Sequence, residues 1–248
     1  IVPALEYLRK QGLTRLYLVG SDYVFPRTAN KIIQAYAKAN GMRVVGEDYA
    51  PLGSTEFSTL VNKVEGAGAD AVFNTLNGDS NVAFFKEYKS AGLTAKSLPV
   101  LSVSIAEEEV KSIGTQYLEG QLTAWNYYQT TPGAANEKFR AAYQAAYGAD
   151  KPTSDPMEAA YNAVYLWKAM AEKAGSFDVA AVKAASDGIT LEAPEGTITV
   201  DGATQHVHKT ARIGKVGANG LIDEVWNSGG PIKPDPYLKG YPWAAGLS

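Results

Sequence analysis

Short runs of apolar residues, many of them β-branched, alternate through residues 1–150 with longer stretches in which apolar positions recur every three or four residues. The first pattern buries both faces of a strand and the second lays one stripe of a helix against a core, so their alternation predicts βαβ units on a parallel sheet. The predicted strands are Leu16–Ser21, Arg43–Tyr49, Asp70–Leu76, Pro99–Ile105 and Gly120–Tyr128. The predicted helices are Pro26–Asn40, Glu56–Gly66, Ser80–Ala91, Ala106–Ile113 and Ala134–Tyr147, and an amphipathic helical pattern opens the chain at Pro3–Leu8. Gly12, Gly41, Gly68, Gly92, Gly114 and Gly148 stand where helices should stop, as left-handed C-terminal caps. The expected fold class is α/β, a doubly wound, mostly parallel sheet with the flavodoxin-like strand order 2-1-3-4-5.

The pattern changes at Lys151-Pro152. Ser154-Asp155-Pro156 offers a capping side chain followed by proline at the first helical position, and Met157–Lys173 then has a strong helical period with Tyr161, Val164, Tyr165 and Met170 expected on the buried face. A short helix is expected at Asp178–Ala185, followed by strands at Gly196–Val200, Val207–Val216 and Leu221–Trp226, joined by turns that contain glycine. Pro231-Ile232-Lys233-Pro234-Asp235-Pro236 has three residues that lack an amide donor and should lie extended across the surface.

Composition narrows the function. Of the 248 residues 46% are apolar and 20% charged, which fits a globular chain of one or two domains. The net charge of −3, with Lys and Arg scattered, offers neither a stripe for a phosphate backbone nor a patch for an anionic membrane surface. Cysteine is absent, which removes disulfides, thiolate metal sites and Cys nucleophiles together. No apolar run reaches the roughly 20 residues of a membrane-spanning helix, and no signal peptide is visible at Ile1.

In an open α/β sheet, solutes gather beyond the carboxyl ends of the strands, where helix N-termini and loop amides converge. The loops after the first, third and fourth predicted strands supply Tyr23, Asn77, Asp79, Ser80 and Ser104. These hydroxyl, amide and carboxylate groups match a small neutral molecule that has N–H donors and a carbonyl. Each residue also has a structural reading: Asp79 or Ser80 as a helix cap, Ser104 inside a strand, Tyr23 in packing. His206 and His208 share a strand face, but with no other His and no Cys any metal would need carboxylate or water ligands, so no metal and no cofactor is expected. Gly217-Ala218-Asn219-Gly220 has hairpin chemistry, and Glu107-Glu108-Glu109 suits the first turn of a helix. No Ser–His–Asp spacing, Walker loop or dinucleotide glycine fingerprint is present, so no enzyme activity is expected.

Gly20-Ser21-Asp22-Tyr23-Val24-Phe25-Pro26-Arg27, Phe73–Asn81, Ser102–Glu109, Thr153–Tyr161 and Gly230–Pro236 resemble the urea-binding proteins of bacterial ABC importers, in several separate blocks over nearly the whole chain. The same blocks resemble, more loosely, the amide-sensing regulator of the aliphatic amidase operon, which shares the type I periplasmic binding fold with the branched-chain amino-acid receptors. The resemblance implies a two-lobed clamp that closes over urea or a short-chain amide, with Tyr23 lining the pocket. It implies a candidate set of Ser21, Asp22, Tyr23, Thr75, Asn77, Gly78, Asp79, Ser80, Ser102, Ser104 and Glu107. Residues 1–150 and 207–248 would then form the second lobe. Residues 151–206 would be helices and crossing strands of a first lobe whose sheet is absent, so that Tyr161, Val164 and Tyr165 would be exposed and favour self-association. The implied partners are the small-molecule ligand and the permease subunits of the transporter. The implied location is periplasmic or anchored at the cell surface, with an export signal upstream of Ile1. The alternatives are a cytoplasmic amide sensor and a receptor of the branched-chain amino-acid type.

Overall fold

A computed structural model describes residues 1–247, which fall into two compact units. Unit 1 takes in residues 1–124, 213–225 and those from 238 onward, and unit 2 takes in residues 125–212 and 226–237. The helix predicted at Ala134–Tyr147, grouped by sequence with the first 150 residues, falls in unit 2.

Unit 1 is the α/β body. Its elements run α1 (Val2–Lys10), β1 (Arg15–Ser21), α2 (Val24–Ala39), β2 (Arg43–Ala50), α3 (Ser58–Gly66), β3 (Ala71–Thr75), α4 (Ser80–Ser90), β4 (Val100–Ser102), α5 (Glu107–Ile113), α6 (Thr115–Leu118) and β5 (Leu122–Trp125, its last residue passing into unit 2). The strands pair in parallel in the order β2-β1-β3-β4-β5, as the alternating pattern predicts. Every residue of β3 and β4 is buried, which explains why these strands read as continuous apolar runs rather than as alternation. Leu5, Leu8, Leu16, Leu18, Ile33, Phe57, Phe73, Phe84 and Phe85 fill the core. All six predicted capping glycines take positive φ. Helix α6 is a single turn with no period long enough to read from sequence.

Unit 2 contains α7 (Ala134–Tyr147), α8 (Asp155–Ala174), α9 (Val179–Ala185), β6 (Thr190–Ala193) and β7 (Gly196–Asp201). β8 (His206–Val216) and β9 (Ile222–Ile232) are long strands that run through both units, joined by the turn at Gly217–Gly220, where Gly217 N–H donates to Leu221 O at 2.8 Å. β6, β7 and β8 are antiparallel neighbours, and Leu166 of α8 packs with Ala193, Ile198 and Val200. Two expectations are corrected here. β9 continues to Ile232 instead of ending at Trp226; it pairs with β8 off the main strand path, and an edge position tolerates the missing amide of Pro231. Helix α8 buries Asp155, Glu158, Asn162, Leu166 and Ala171, while Val164 and Tyr165 are 64% and 45% exposed and Tyr161 and Met170 are half-buried, so the stripe that periodicity places inward is largely exposed, as the resemblance implies.

Candidate functional site

The carboxyl ends of β1, β3 and β4 lie side by side in the sheet of unit 1, and hydrogen bonds tie their loops together. Asn77 N–H donates to Ser21 Oγ at 3.0 Å, and Asn77 Nδ2 donates to Tyr23 Oη at 2.7 Å. Ser104 Oγ donates to the carbonyl of Leu76, which brings the loop after β4 against the loop after β3. Tyr23, Asn77 and Ser104 are therefore brought together on a half-exposed shelf, with Gly78 and Asp79 exposed beside them. Gly78 turns this loop with φ of 62°, a conformation that disfavours a side chain.

Close packing beneath the shelf sets its height. A Cβ at Gly20 would lie 2.6 Å from Thr75 Oγ1 and 2.8 Å from Pro26 Cβ, so only glycine lets β1, β3 and α2 approach this closely. Thr75 Oγ1 itself donates to Val19 O at 3.2 Å. The buried Asn74 side chain donates to Asn81 Oδ1 at 2.9 Å and to Ser102 Oγ at 3.0 Å, and accepts from Leu76 N–H at 2.9 Å. Asn81 Nδ2 closes the ring by donating to Leu76 O at 3.0 Å. This network shapes the loop after β3, and its two asparagines stand outside the predicted set, which includes only Ser102 of its members. The signal for it was a polar residue inside a five-residue strand that is otherwise almost wholly apolar.

The remaining candidates are placed differently. Asp22 pairs with Arg27 at 2.7 Å, and the Arg27 guanidinium rests 4.3 Å above the Tyr49 ring. The hydrogen bond that Arg27 donates to Asp22 holds Arg27 still more firmly protonated, and burial with help from Glu47 pushes the Tyr49 hydroxyl up to about 12. Ser80 and Glu107 are buried at the starts of α4 and α5, Ser102 lies within the asparagine network, and Asp79 sits at the N-terminus of α4 without a capping bond from its side chain. Phe25, 41% exposed with its ring 6.2 Å from that of Tyr23, adds an apolar flank that the side-chain inventory did not include.

The shelf has a definite hydrogen-bond polarity. Because the Tyr23 hydroxyl oxygen accepts from Asn77, its proton remains to be donated, while Asn77 Oδ1 and the Asp79 carboxylate are acceptors. Arg27 is the one basic residue in residues 20–27, 76–81 and 102–107, and it is already paired. A cavity of about 700 Å³ lies at the opposite, amino-terminal end of the unit 1 strands, lined by Leu13, Pro99, Gln121, Lys89, Lys96 and Lys215 among others. The shelf itself is open. Among the described residues no group of three His, Cys, Asp or Glu is placed to hold a metal ion, and no helix is long and apolar enough to cross a membrane.

Residues 1–242 match the family model described as periplasmic binding protein domain. The chain belongs to the periplasmic binding protein family. Among curated family relatives, Leu/Ile/Val-binding protein homolog 6 of Brucella melitensis is 25% identical over 209 residues, covering 83% of this chain and 53% of that protein. Among solved periplasmic binding folds, a solute-binding protein of an ABC transporter from Rhodopseudomonas palustris HaA2, in complex with p-hydroxybenzoic acid, superposes with a TM-score of 0.85 at 25% identity, covering 96% of this chain and 66% of that one. An amino-acid ABC transporter substrate-binding protein from Pseudomonas fluorescens Pf-5 shares the fold with a TM-score of 0.80 at 21% identity over 94% of this chain and 63% of that one. The chain thus spans about half the length of the curated relative and about two thirds of these structures.

Proposed function

We propose that this chain is the solute-binding part of an ABC importer and that the shelf formed by Tyr23, Asn77, Asp79 and Ser104 receives urea or a short-chain aliphatic amide. Family membership supports the solute-binding part of this reading. The observation that carries the solute class is the Tyr23–Asn77 pair: a free hydroxyl proton for a carbonyl oxygen stands beside amide and carboxylate acceptors for N–H groups. The protein acts by binding and release, without catalysis. It delivers the solute to the permease subunits from the periplasm or from a cell-surface anchor.

A second reading has its own support. The Rhodopseudomonas palustris protein holds p-hydroxybenzoic acid, the Brucella relative is named for branched-chain amino acids, and the Phe25 ring beside Tyr23 could flank an aromatic or aliphatic body. A carboxylate solute would draw on the loop amides and the N-termini of α2 and α4, since Arg27 is held by Asp22, and the negative charge of Asp79 works against it. Titration calorimetry with urea, acetamide, leucine and p-hydroxybenzoic acid separates the two. Heat with urea or acetamide alone supports the amide reading, and heat with leucine or p-hydroxybenzoic acid alone replaces it.

A further inference from the structure

Unit 2 holds a cluster of four ionisable side chains that have no part in the shelf, three buried carboxylates and a partly exposed lysine. Asp155 and Glu158 come from α8, Glu195 from the turn between β6 and β7, and Lys209 from β8. Glu158 and Glu195 are 0% and 1% exposed. Lys209 Nζ is 2.6 Å from Glu195 Oε1. Asn162 Nδ2 donates to Glu158 Oε1 at 2.6 Å and reaches Glu195 Oε1 at 3.5 Å, so one amide bridges the two carboxylates. Glu158 Oε1 also accepts from Glu195 N–H at 3.1 Å. Asp155 is met by the N–H groups of Asn126 and Tyr127 at 2.8 and 3.0 Å, and Arg212 donates from Nε to the carbonyl of Asn126 at 2.8 Å and from Nη2 to that of Glu195 at 2.7 Å.

Three carboxylates face one lysine and one arginine, and the mismatch is as much chemical as electrostatic. Glu158 Oε2, Glu195 Oε2 and Asn162 Oδ1 are buried and have no hydrogen-bond partner. All three are acceptors when the carboxylates are ionised, and a donor is what the cluster lacks. A proton on either glutamate turns one orphaned acceptor into an O–H donor that can satisfy another, and it removes one of the uncompensated negative charges.

We propose that Glu158 and Glu195 form a proton-binding site in unit 2, in which one proton shared by the two carboxyl groups is part of the folded structure at neutral pH. The groups that face the pair are Asp155 and Asn162 from α8 and Lys209 and Arg212 from β8. Burial, partly offset by Lys209 and reinforced by Glu158, pushes the Glu195 carboxyl up to about 8, and Glu158 moves in the same direction for the same leading cause. An acid whose folded value is raised binds its proton more tightly folded than unfolded. The proton's contribution is therefore full below the ordinary value of 4.5 and is lost as pH rises toward about 8.

The test is infrared spectroscopy of the chain in heavy water across neutral and alkaline pH, together with guanidinium unfolding of the native chain and of Glu195→Gln. The native chain should show the carbonyl stretch of a buried protonated carboxyl at neutral pH, fading in alkali. Its unfolding constant should rise with pH in the window between 4.5 and about 8, with a slope approaching about tenfold per pH unit for one proton. Glu195→Gln carries a neutral amide in place of the protonated acid and should lose both the band and that slope; Glu158→Gln is the second variant if the first folds poorly. A neutral-pH spectrum of the native chain without the band, or a Glu195→Gln chain that keeps the full slope, overturns the proposal.

Discussion

Asn77 Nδ2 donates to Tyr23 Oη at 2.7 Å, fastening the loop after β3 to the N-terminus of α2. The bond decides which hydrogen-bonding sense the tyrosine offers to a solute. With its oxygen lone pair occupied, the hydroxyl is oriented to donate, and a carbonyl is the matching group. Asn77→Ala removes this orientation along with one acceptor for solute N–H. A neutral hydrogen bond contributes about 0.5–1.5 kcal/mol, so amide affinity should fall by about 2- to 12-fold in calorimetry while the melting temperature changes little.

Asn74 connects Leu76 N–H, Asn81 and Ser102 through one buried side chain. Asn74→Ala leaves these groups unpaired in a dry environment, at about 1–3 kcal/mol for an orphaned group. Guanidinium unfolding should show that loss; urea is unsuitable as denaturant because it is a candidate solute.

The contact at Gly20 is a steric test of the same corner. Gly20→Ala places a methyl group within 2.6 Å of Thr75 Oγ1 and 2.8 Å of Pro26 Cβ. Overpacking of this kind costs about 1–3 kcal/mol, and amide affinity should fall with stability because α2 carries Tyr23 at its start. Unchanged stability would mean that β1 and α2 yield easily.

Asp70 anchors the start of β1. Its carboxylate accepts from Arg15 side-chain and backbone N–H groups and from Thr14 N–H. The Arg15 hydrogen bond leads in holding Asp70 below the ordinary 3.8. A lowered folded value means that the contribution is present above the unfolded value and is lost as pH falls through the folded one. Asp70→Asn should therefore flatten the acid arm of the stability profile below about pH 4, as seen by circular dichroism, and lower stability at neutral pH. The glutamate pair of unit 2 acts in the opposite direction and at higher pH, so the two contributions are separable.

The local pattern was sufficient for the elements that carry the shelf. Continuous apolar runs at Leu16–Val19 and Ala71–Phe73, each followed by polar loop residues, located β1, β3 and the turns that place Tyr23 and Asn77. On helix α8 the exposure of Val164 and Tyr165 agrees with the uncovered apolar stripe that the resemblance implies, whereas the burial of Glu158 and Asn162 escapes a periodicity argument, in which an apolar stripe outweighs charges. Glu158 and Asn162 are buried because Glu195 and Lys209, distant in sequence, complete their environment, and such a partnership leaves no local trace. The asparagine ring of Asn74 and Asn81 left one local trace, a polar residue inside an otherwise almost wholly apolar strand, but its partners could not be read from the pattern. Its third member, Ser102, comes from another strand.

The account depends on a solute reaching the carboxyl-end loops of unit 1. Two-dimensional NMR of the isotopically labelled chain titrated with acetamide tests this most directly. Saturable shifts of the Asn77 side-chain amide and the Gly78 backbone amide, absent in Tyr23→Ala, are the predicted result. Saturable shifts confined to the cavity around Lys89, Lys96 and Gln121, or none at any residue, would contradict it.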